Sequence, residues 1–279
     1  MESGVLAMGA HLKSAFSLVP NTHIYVSQYF GNLDNYDVLE RYKNTIGKQL
    51  GVFSCSPKTV LVDAHPTYQS SIAGETIAKE YNTQIFKIQH HKAHFASVLG
   101  EHQLFESEER ILGVVWDGTG YGDDNDTMER ISHFEYYDWL TNDKMAKEPR
   151  IALLSLLNNE NRRDISDKFS DTEWKIYTKM LDNNVLKTSS MGRLFDAVAS
   201  ALDIKDSNTF EAEAAMLLEN CAKTYSKSYY IDFLHNVSYD TIPSKQIINE
   251  LFKAYNEGFC KERLAYSFIY TLAKSIITL

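Results

Sequence analysis

The sequence predicts an α/β fold in which helices cover both faces of a mixed β-sheet. Three short β-type segments follow one another near the N-terminus, and helical and strand patterns then alternate. Consecutive short strands favour an antiparallel meander, whereas strand–helix–strand alternation favours parallel strands joined by crossover helices. The chain has 279 residues, of which 44% are hydrophobic, and this is enough for one large or two medium domains with buried cores.

The first half of the chain supplies most of the predicted sheet. Alternating or continuous apolar runs predict strands at 5–8, 15–19, 23–30, 59–62 and 85–88, with a hairpin turn at Pro20 and Asn21. Helical spacing of apolar residues predicts helices at 36–50, 70–81 and 90–101. Asp34 and Asn35 are the candidate caps of the first helix.

The second half of the chain is predicted to be mainly helical. Strand patterns occur at 111–116 and 131–137, and helical patterns at 150–157, 172–181, 190–202, 210–234 and from 245 to the end. The polar stretch 141–149 is predicted to be a loop that separates the sheet-bearing part from the helical part.

Composition argues against several classes of protein. A formal net charge of −9 disfavours a nonspecific nucleic-acid binder, because such proteins need an excess of Lys and Arg. The cysteines, Cys55, Cys221 and Cys260, are far apart and form no Cys-x-x-Cys pair, which favours a reducing, cytoplasmic setting. No basic leader and no apolar run of about 20 residues is present, so neither export nor a membrane span is expected.

Two polar clusters after predicted strands are the centre of the functional hypothesis. They are Gln89-His90-His91-Lys92-Ala93-His94 and Asp117-Gly118-Thr119-Gly120. Ligands of α/β folds usually bind at the carboxyl ends of strands. His90 and His94 are four residues apart, hence on one face of a helix, and such a pair can share a metal ion. Taken singly, the histidines are more often an ordinary surface or half-buried pair, and the Asp-Gly-Thr-Gly segment is more often a glycine turn after a strand.

A third cluster, at 188–198, combines helix-capping hydroxyl groups with Gly192, Arg193 and Asp196. The N-terminus of its helix would present N–H groups to a phosphate. An i,i+3 surface ion pair between Arg193 and Asp196 is the alternative interpretation. Glu211 opens the next predicted helix, either as an acid favoured by the helix dipole or as an acceptor for a ribose hydroxyl. No Gly-x-x-x-x-Gly-Lys-Ser/Thr motif is present, so other loops must hold any nucleotide.

Six motifs in chain order resemble the HypF carbamoyltransferases of NiFe-hydrogenase maturation. They are Gly-Ala-His-Leu-Lys (9–13), Ser-Gln-Tyr-Phe-Gly-Asn-Leu (27–33), Asp-Ala-His-Pro (63–66), the two clusters at 89–94 and 117–124, and 188–198. The matching region is the Kae1-like transferase part of that family, related to O-carbamoyltransferases and tRNA threonylcarbamoyl transferases. The resemblance implies a ribonuclease-H-like, two-lobed fold of the actin, sugar-kinase and heat-shock-ATPase type. It assigns 1–110 to the first lobe, and 111–279 to a second lobe that begins at 111–140, continues as a helical part and lacks its C-terminal segment.

The resemblance also implies a reaction, namely transfer of a carbamoyl group from carbamoyl-adenylate to the C-terminal cysteine of a partner, HypE. It implies a divalent metal, zinc or iron, bound by His90, His94 and Asp117. Asp117 and Lys13 are then the candidate catalytic residues. Contacts to the donor and its ATP-derived AMP moiety are expected from Gly118, Thr119, Gly120, Gly192, Arg193, Asp196 and Glu211. A YrdC-like domain, which makes the donor in this family, is expected to act in trans, and neither a nucleic acid nor a membrane is an expected partner.

The sequence departs from the family pattern at three segments that usually contain glycine. The Trp-Gly-Gly-Glu, Gly-Gly-Asp-Lys and Tyr-Glu-Gly-Gln segments of the family correspond to 128–133, 141–144 and 210–213, which contain no glycine. Loss of glycine where a backbone approaches a ligand favours weaker nucleotide binding. One hypothesis is therefore a working transferase, and the other is a catalytically incomplete, truncated remnant that keeps a fold or partner-binding role. An O-carbamoyltransferase-like enzyme is a further alternative.

Overall fold

A computed structural model of the chain describes residues 3–116, 129–141, 143–226, 228–234 and 241–278. These residues form two compact units, each with its own hydrophobic core. The first unit runs to Val115, and the second comprises Trp116 and the described residues from Glu129 onward. No helix in these parts of the chain is long and apolar enough to cross a membrane.

The first unit is built on a mixed sheet. Its strands are β1 (Val5–Ala7), β2 (Ser17–Val19), β3 (Tyr25–Val26), β4 (Thr59–Asp63) and β5 (Gln84–Ile88), in the spatial order β3-β2-β1-β4-β5. β2 pairs antiparallel with β1 and β3, whereas β4 pairs parallel with β1 and β5. The predicted meander and parallel crossovers are confirmed, although the strand predicted at 23–30 is only two residues long.

The helices of the first unit also follow the sequence pattern. They are α1 (Tyr36–Val52), α2 (Gln69–Glu80) and α3 (His90–Glu101). Of the two candidate caps, Asn35 is the N-cap of α1, and its side chain accepts hydrogen bonds from the amides of Asp37 and Val38. The buried face of α1 includes Tyr42, whose hydroxyl donates to the carbonyl of Met8 at the end of β1. The predicted apolar face of α1 therefore packs on the sheet.

Helix α2 lies close against β4 and Met8, the residue after β1, because Gly74 has no side chain. A Cβ at this position would come within 2.4 Å of Val62 Cγ1 and 2.8 Å of Met8 Cγ. Ser71, in the first turn of α2, donates a hydrogen bond to the carbonyl of Asp63 at 2.9 Å. The start of α2 is therefore fixed beside the carboxyl end of β4.

The second unit is mainly helical. Its helices are α4 (Asp143–Lys147), α5 (Pro149–Leu156), α6 (Asp171–Asn183), α7 (Met191–Ala201), α8 (Glu213–Lys223), α9 (Ser244–Asn256) and α10 (Lys261–Thr278), with a 3-10 helix at Asn161–Lys168. Its short strands are β6 (His133–Phe134), β7 (Tyr137–Asp138), β8 (Lys187–Thr188) and β9 (Thr241–Ile242), which pair as β6 with β9 and β7 with β8. The core contains α5 and α7, on both of which most residues are buried.

Both strands predicted in the second half differ in the structure. The run 111–116 is irregular, and Gly113 lies so close to the Phe95 ring that an added Cβ would meet it at 2.7 Å. The segment 131–137 divides into β6 and β7. After β6 the Glu135 amide donates to Ile242 at 2.7 Å, and the chain then turns so that Tyr137 pairs with Thr188. Strand pairing partners therefore change within three residues, which an alternating pattern does not reveal.

Helix boundaries in the second half were also partly wrong. The helix predicted at 210–234 is reduced to α8, which starts after the left-handed Ala212 (φ 62°) and ends where the Thr224 hydroxyl bonds to the Cys221 carbonyl at 2.7 Å. The helix predicted from 245 to the end is divided into α9 and α10 near Gly258 (φ 93°). The predicted loop 141–149 contains α4, because Met145 is completely buried and draws this segment onto the core.

Candidate functional site

Polar side chains gather in the first unit where the parallel strands β4 and β5 end. Asp63 is the last residue of β4, and it pairs with Ile88, the last residue of β5. The next residue, Gln89, caps α3 by accepting a hydrogen bond from the Lys92 amide at 2.8 Å. This strand register brings His90, in the first turn of α3, beside Asp63.

His90 and His94 lie on one face of α3, as the spacing predicts. Their Nε2 atoms are 3.2 Å apart, and their ring centroids are 4.8 Å apart. Two imidazole ligands of one tetrahedral zinc ion, with Zn–N bonds of about 2.0–2.1 Å, would have their nitrogens about 3.3 Å apart. The geometry of this pair therefore fits two ligands of a single metal ion.

The other predicted metal ligand, Asp117, lies outside the described residues, as do Gly118, Thr119 and Gly120. Within the described parts of the chain, no group of three or more His, Cys, Asp and Glu side chains is arranged to hold a metal. The three-ligand set therefore stays a prediction, of which the structure describes the His90 and His94 pair.

Asp63 is a member of the site to which sequence reasoning assigned no role. Its Oδ2 lies 2.6 Å from His90 Nδ1, and its Oδ1 accepts a hydrogen bond from the His65 amide at 2.8 Å. The Asp63 side chain is only 6% exposed. The signal in the sequence was the Asp-Ala-His-Pro motif at the end of a strand, although the motif does not show which histidine the carboxylate contacts.

Two further histidines, His11 and His65, lie near Asp63 and His90, and both stack on the Tyr68 ring. The His65 ring stacks on Tyr68 with centroids 4.0 Å apart, and the His11 ring stacks on Tyr68 at 5.3 Å. Burial lowers the pKa of His65, nearby Asp63 opposes this effect, and His11 and His90 add to it. His65 is therefore held preferentially in the neutral form.

The position of His11 is fixed by hydrogen bonds at both ring nitrogens. Its Nδ1 accepts from the Gln69 amide at 3.2 Å, so the ring proton is on Nε2, which donates to Asp34 Oδ1 at 2.9 Å. Gln69 is the first residue of α2. His11 thus ties the loop after β1 to the start of α2, a contact between residues 58 positions apart that sequence spacing could not reveal.

The loop that carries His11 and Lys13 depends on an unusual backbone. Gly9 has φ 67°, and a Cβ there would lie 2.0 Å from the carbonyl oxygen of Ala15. Lys13 also has a left-handed backbone, with φ 52°, and its side chain is exposed. The catalytic role of Lys13 stays a prediction.

In the second unit, the predicted phosphate-binding cluster forms the start of α7. Ser190 caps this helix by accepting a hydrogen bond from the Arg193 amide at 3.3 Å. The only described heavy atom that a Cβ on Gly192 would meet is Ser190 Oγ, at 3.8 Å. This first turn is therefore capped and leaves space for a group bound over Gly192.

The Arg193 and Asp196 pair exists, but it is not on the surface as one interpretation held. Arg193 Nε lies 2.8 Å from Asp196 Oδ2, and Asp196 is only 1% exposed. Burial raises the pKa of Asp196 to about 6, while Arg193 and a hydrogen bond from Asn208 act in the opposite direction. The pair is buried because α7 lies in the core of the second unit. The predicted nucleotide contacts of Arg193 and Asp196 stay predictions.

The segment before α8 also differs from the prediction. Glu211 precedes the helix, and Glu213 instead lies in its first turn, where its Oε2 accepts hydrogen bonds from the Thr209 amide and hydroxyl at 2.6 and 2.9 Å. A hydrogen bond from Lys205 is the main reason why the pKa of Glu213 is lowered, to about 2, and the Thr209 amide adds to this effect. Glu213, not Glu211, therefore occupies the first-turn position that the helix dipole favours for an acid, and a contact of Glu211 with a ribose stays a prediction.

Comparisons with known proteins identify the family to which both units of the chain are similar. A family model described as "HypF Kae1-like domain" matches residues 1–101. A second, described as "Carbamoyltransferase, Kae1-like Domain, second subdomain", matches residues 113–279. Together they account for nearly the whole chain.

Two curated relatives with the name HypF are much longer than this chain. Carbamoyltransferase HypF of Synechocystis sp. is 30% identical over 83% of this chain and 34% of its own length. Probable carbamoyltransferase HypF of Methanocaldococcus jannaschii is 27% identical over 94% of this chain and 36% of its own length. The chain therefore spans about a third of the length of these relatives.

Solved structures of HypF have the same fold. A full-length HypF in the phosphate- and nucleotide-bound form is 28% identical, with a TM-score of 0.82 over 99% of this chain and 38% of that structure. T. kodakarensis HypF is 26% identical, with a TM-score of 0.84 over 98% of this chain and 39% of that structure. These matches confirm the predicted fold class, an α/β fold of the actin-like type. Because both parts of the Kae1-like domain are matched in order, the chain belongs to the HypF carbamoyltransferase family.

Proposed function

We propose that this chain transfers a carbamoyl group in hydrogenase maturation. The donor would be carbamoyl-adenylate, and the acceptor would be the C-terminal cysteine of a HypE-like protein. The observation that carries this proposal is the convergence of His90 and His94 at 3.2 Å, backed by Asp63 at 2.6 Å, within the part matched to the Kae1-like domain. A histidine pair at the end of parallel strands lies where ligands of α/β folds usually bind, and a site with three protein ligands, His90, His94 and Asp117, would leave a fourth tetrahedral position for substrate, as catalytic metal sites do.

The proposed reaction forms one C–S bond and breaks one C–O bond. The cysteine thiolate attacks the carbamoyl carbon, AMP leaves with the electron pair of the C–O bond, and the product is a thiocarbamate. Negative charge grows on the carbamoyl oxygen during attack, so the site must offer positive charge or N–H groups to that atom. A divalent ion, zinc or iron, held by His90, His94 and Asp117 would supply Lewis acidity there.

The residues of the chain would bind and orient the donor. The capped first turn of α7, with space over Gly192, suits a phosphate group of the AMP moiety. The buried Arg193 and Asp196 pair would hold this turn in place, and the predicted contacts of both residues with the nucleotide remain part of the proposal. Lys13, exposed on the loop after β1, would add positive charge for an anionic donor. Gly118, Thr119, Gly120 and Glu211 complete the proposed set of ligand contacts.

The proposed setting is the cytoplasm, with the donor supplied in trans by a YrdC-like domain. The net charge of −9 disfavours a nonspecific nucleic-acid partner, and neither a nucleic acid nor a membrane is part of the proposal.

The direct test is to incubate the purified chain with carbamoyl-adenylate, a divalent metal and a HypE-like protein. We expect mass spectrometry to show one carbamoyl group on the C-terminal cysteine of the acceptor. The His90→Ala and His94→Ala variants should lose this transfer, whereas Asp34→Asn, which alters a different Asp–His pair, should retain it. Transfer that is equal in all four proteins would refute the proposed site. Transfer to a small hydroxyl acceptor instead of the cysteine would favour an O-carbamoyltransferase-like enzyme.

A second candidate function is a catalytically incomplete protein that keeps the fold and a partner-binding role. It is favoured by Ala212, which has a left-handed backbone (φ 62°) where the family pattern has glycine, so a side chain lies where a ligand would approach. This candidate predicts that the wild-type chain binds the HypE-like protein in calorimetry but transfers no carbamoyl group, and that donor binding improves in the Ala212→Gly variant.

A further inference from the structure

The carboxylate of Asp63 is held rigidly between two segments of the site. It stands at the end of β4, where its backbone carbonyl accepts a hydrogen bond from Ser71 at 2.9 Å. Its Oδ1 is engaged by the His65 amide and its Oδ2 by His90 Nδ1, at 2.8 and 2.6 Å. With a side chain only 6% exposed, the carboxylate has little freedom to move and is weakly screened by water.

These contacts determine which nitrogen of His90 carries the ring proton. A carboxylate can only accept, so Nδ1 of His90 must donate, and the proton is on that nitrogen. In neutral His90 the lone pair is then on Nε2, the atom that faces Nε2 of His94 at 3.2 Å. Metal binding requires such a lone pair.

We propose that Asp63 is a positioning residue that prepares His90 for metal binding. By fixing both the ring orientation and the Nδ1–H tautomer, it keeps Nε2 directed at the position shared with His94. This inference rests on the metal site of the proposed function and deepens it. Carboxylate partners of this kind also increase the basicity of a metal-bound histidine, and their loss typically costs about 10–100-fold in metal affinity.

The Asp34–His11 pair provides an internal contrast. Its N–O distance, 2.9 Å, is similar, but His11 uses its other ring nitrogen to accept from the Gln69 amide. The Asp34 side chain is 72% exposed. The Asp34–His11 pair joins loops of the same unit, and it directs no lone pair of His11 at another histidine. Asp34 is therefore the matched control for Asp63.

A purely structural role for Asp63 makes a different prediction. If the carboxylate only tied β4 to α3, a variant that still folds would bind metal normally. Asp63→Asn distinguishes the two roles, because its amide oxygen can still accept from the His65 amide. Its NH2 group would then face His90 Nδ1 as a donor, so the ring proton would move to Nε2 and compete with the metal.

The experiment is a Co2+ titration of the full chain, followed by the visible absorption of bound cobalt, with thermal unfolding measured for every variant. We expect Asp63→Asn to bind Co2+ about 10–100-fold more weakly than wild type. Asp34→Asn should bind like wild type, and His94→Ala should lose binding. Equal affinities of wild type and Asp63→Asn would overturn the positioning role while leaving the metal site intact. If wild type binds no Co2+, the metal site of the proposed function is wrong and this role falls with it.

A second measurement covers the case in which Asp63→Asn folds poorly. 15N NMR of the histidine rings in the metal-free wild-type chain, with His90 assigned from the His90→Gln variant, reports the tautomer directly. We expect the Nδ1–H form for His90. Observation of the Nε2–H form in wild type would overturn the inference whatever the variants do.

Discussion

Gly74→Ala should destabilise the first unit, although alanine is a better helix former than glycine. The reason is the close packing of α2 on the sheet. A Cβ at position 74 would lie 2.4 Å from Val62 Cγ1 and 2.8 Å from Met8 Cγ, both of which belong to buried side chains. The helix must therefore move away from β4 and Met8, or those side chains must leave their preferred rotamers.

Two opposing effects set the size of this change. Replacing glycine by alanine inside a helix stabilises by about 1 kcal/mol, whereas adding a methyl group to a packed core costs about 1–3 kcal/mol. The steric cost should be near the upper end of that range, because Val62 is β-branched and stiff at χ1, while only Met8 can adapt easily. The expected net loss is about 1–2 kcal/mol in the free energy of unfolding.

Gly47→Ala is the matched control, since Gly47 lies within α1 and no described heavy atom is within 4 Å of an added Cβ. This variant should gain up to about 1 kcal/mol. All three tryptophans, Trp116, Trp139 and Trp174, lie outside the first unit, so hydrogen exchange of α2 and β4 amides is a better probe than fluorescence. Exchange should accelerate in Gly74→Ala and slow or stay unchanged in Gly47→Ala. If both variants were stabilised, the packing argument would be refuted.

Three further predictions concern local features of each unit. Ala212→Gly should stabilise the second unit by about 0.5–1 kcal/mol, because glycine adopts the left-handed backbone (φ 62°) without strain. The measurement is urea unfolding followed by tryptophan fluorescence, and an unchanged midpoint would contradict the prediction. Burial raises the pKa of Asp196 to about 6, so the folded state binds this proton more tightly than the unfolded state. The stability of wild type relative to Asp196→Asn should therefore fall by up to about 3 kcal/mol as pH rises from below about 4 to above about 6, and parallel pH profiles of urea unfolding would disprove it. Asn35→Ala should cost about 1 kcal/mol through loss of the α1 cap, measured by exchange of the first-turn amides, and unaltered exchange there would argue against the cap.

The helices and strands of the first unit up to α3 were largely predictable because most of these elements have one continuous period, whereas the strand predicted at 111–116 was wrong. The apolar face of α1, with Tyr42, Ile46 and Leu50, follows helical spacing and is buried as expected. In the second unit the partners of a strand change between Phe134 and Tyr137, and a helix stops at Lys223 although apolar residues continue beyond it. Such changes depend on which surfaces meet in the core, and local periodicity does not contain that information.

In the candidate site, too, contacts between residues close in sequence were predictable, and contacts between distant residues were not. The His90 and His94 pair was predictable because four residues along a helix place two side chains on one face. The contact between Asp63 and His90 was not, because it spans 27 residues and depends on the register that pairs Asp63 with Ile88. A shift of that register by one residue would turn the carboxylate to the opposite face of the sheet.

The approach of Gly9 to the Ala15 carbonyl also limits which sequences can form the loop that carries His11. Any other residue at position 9 would place its Cβ 2.0 Å from an oxygen atom, on a backbone with φ 67°. In a library that samples every amino acid, position 9 should therefore tolerate glycine alone. Position 13, where lysine already adopts φ 52°, should accept asparagine and glycine for folding. The backbone of this loop therefore limits which residues can occupy positions 9 and 13, whatever chemical role the side chains of the loop have.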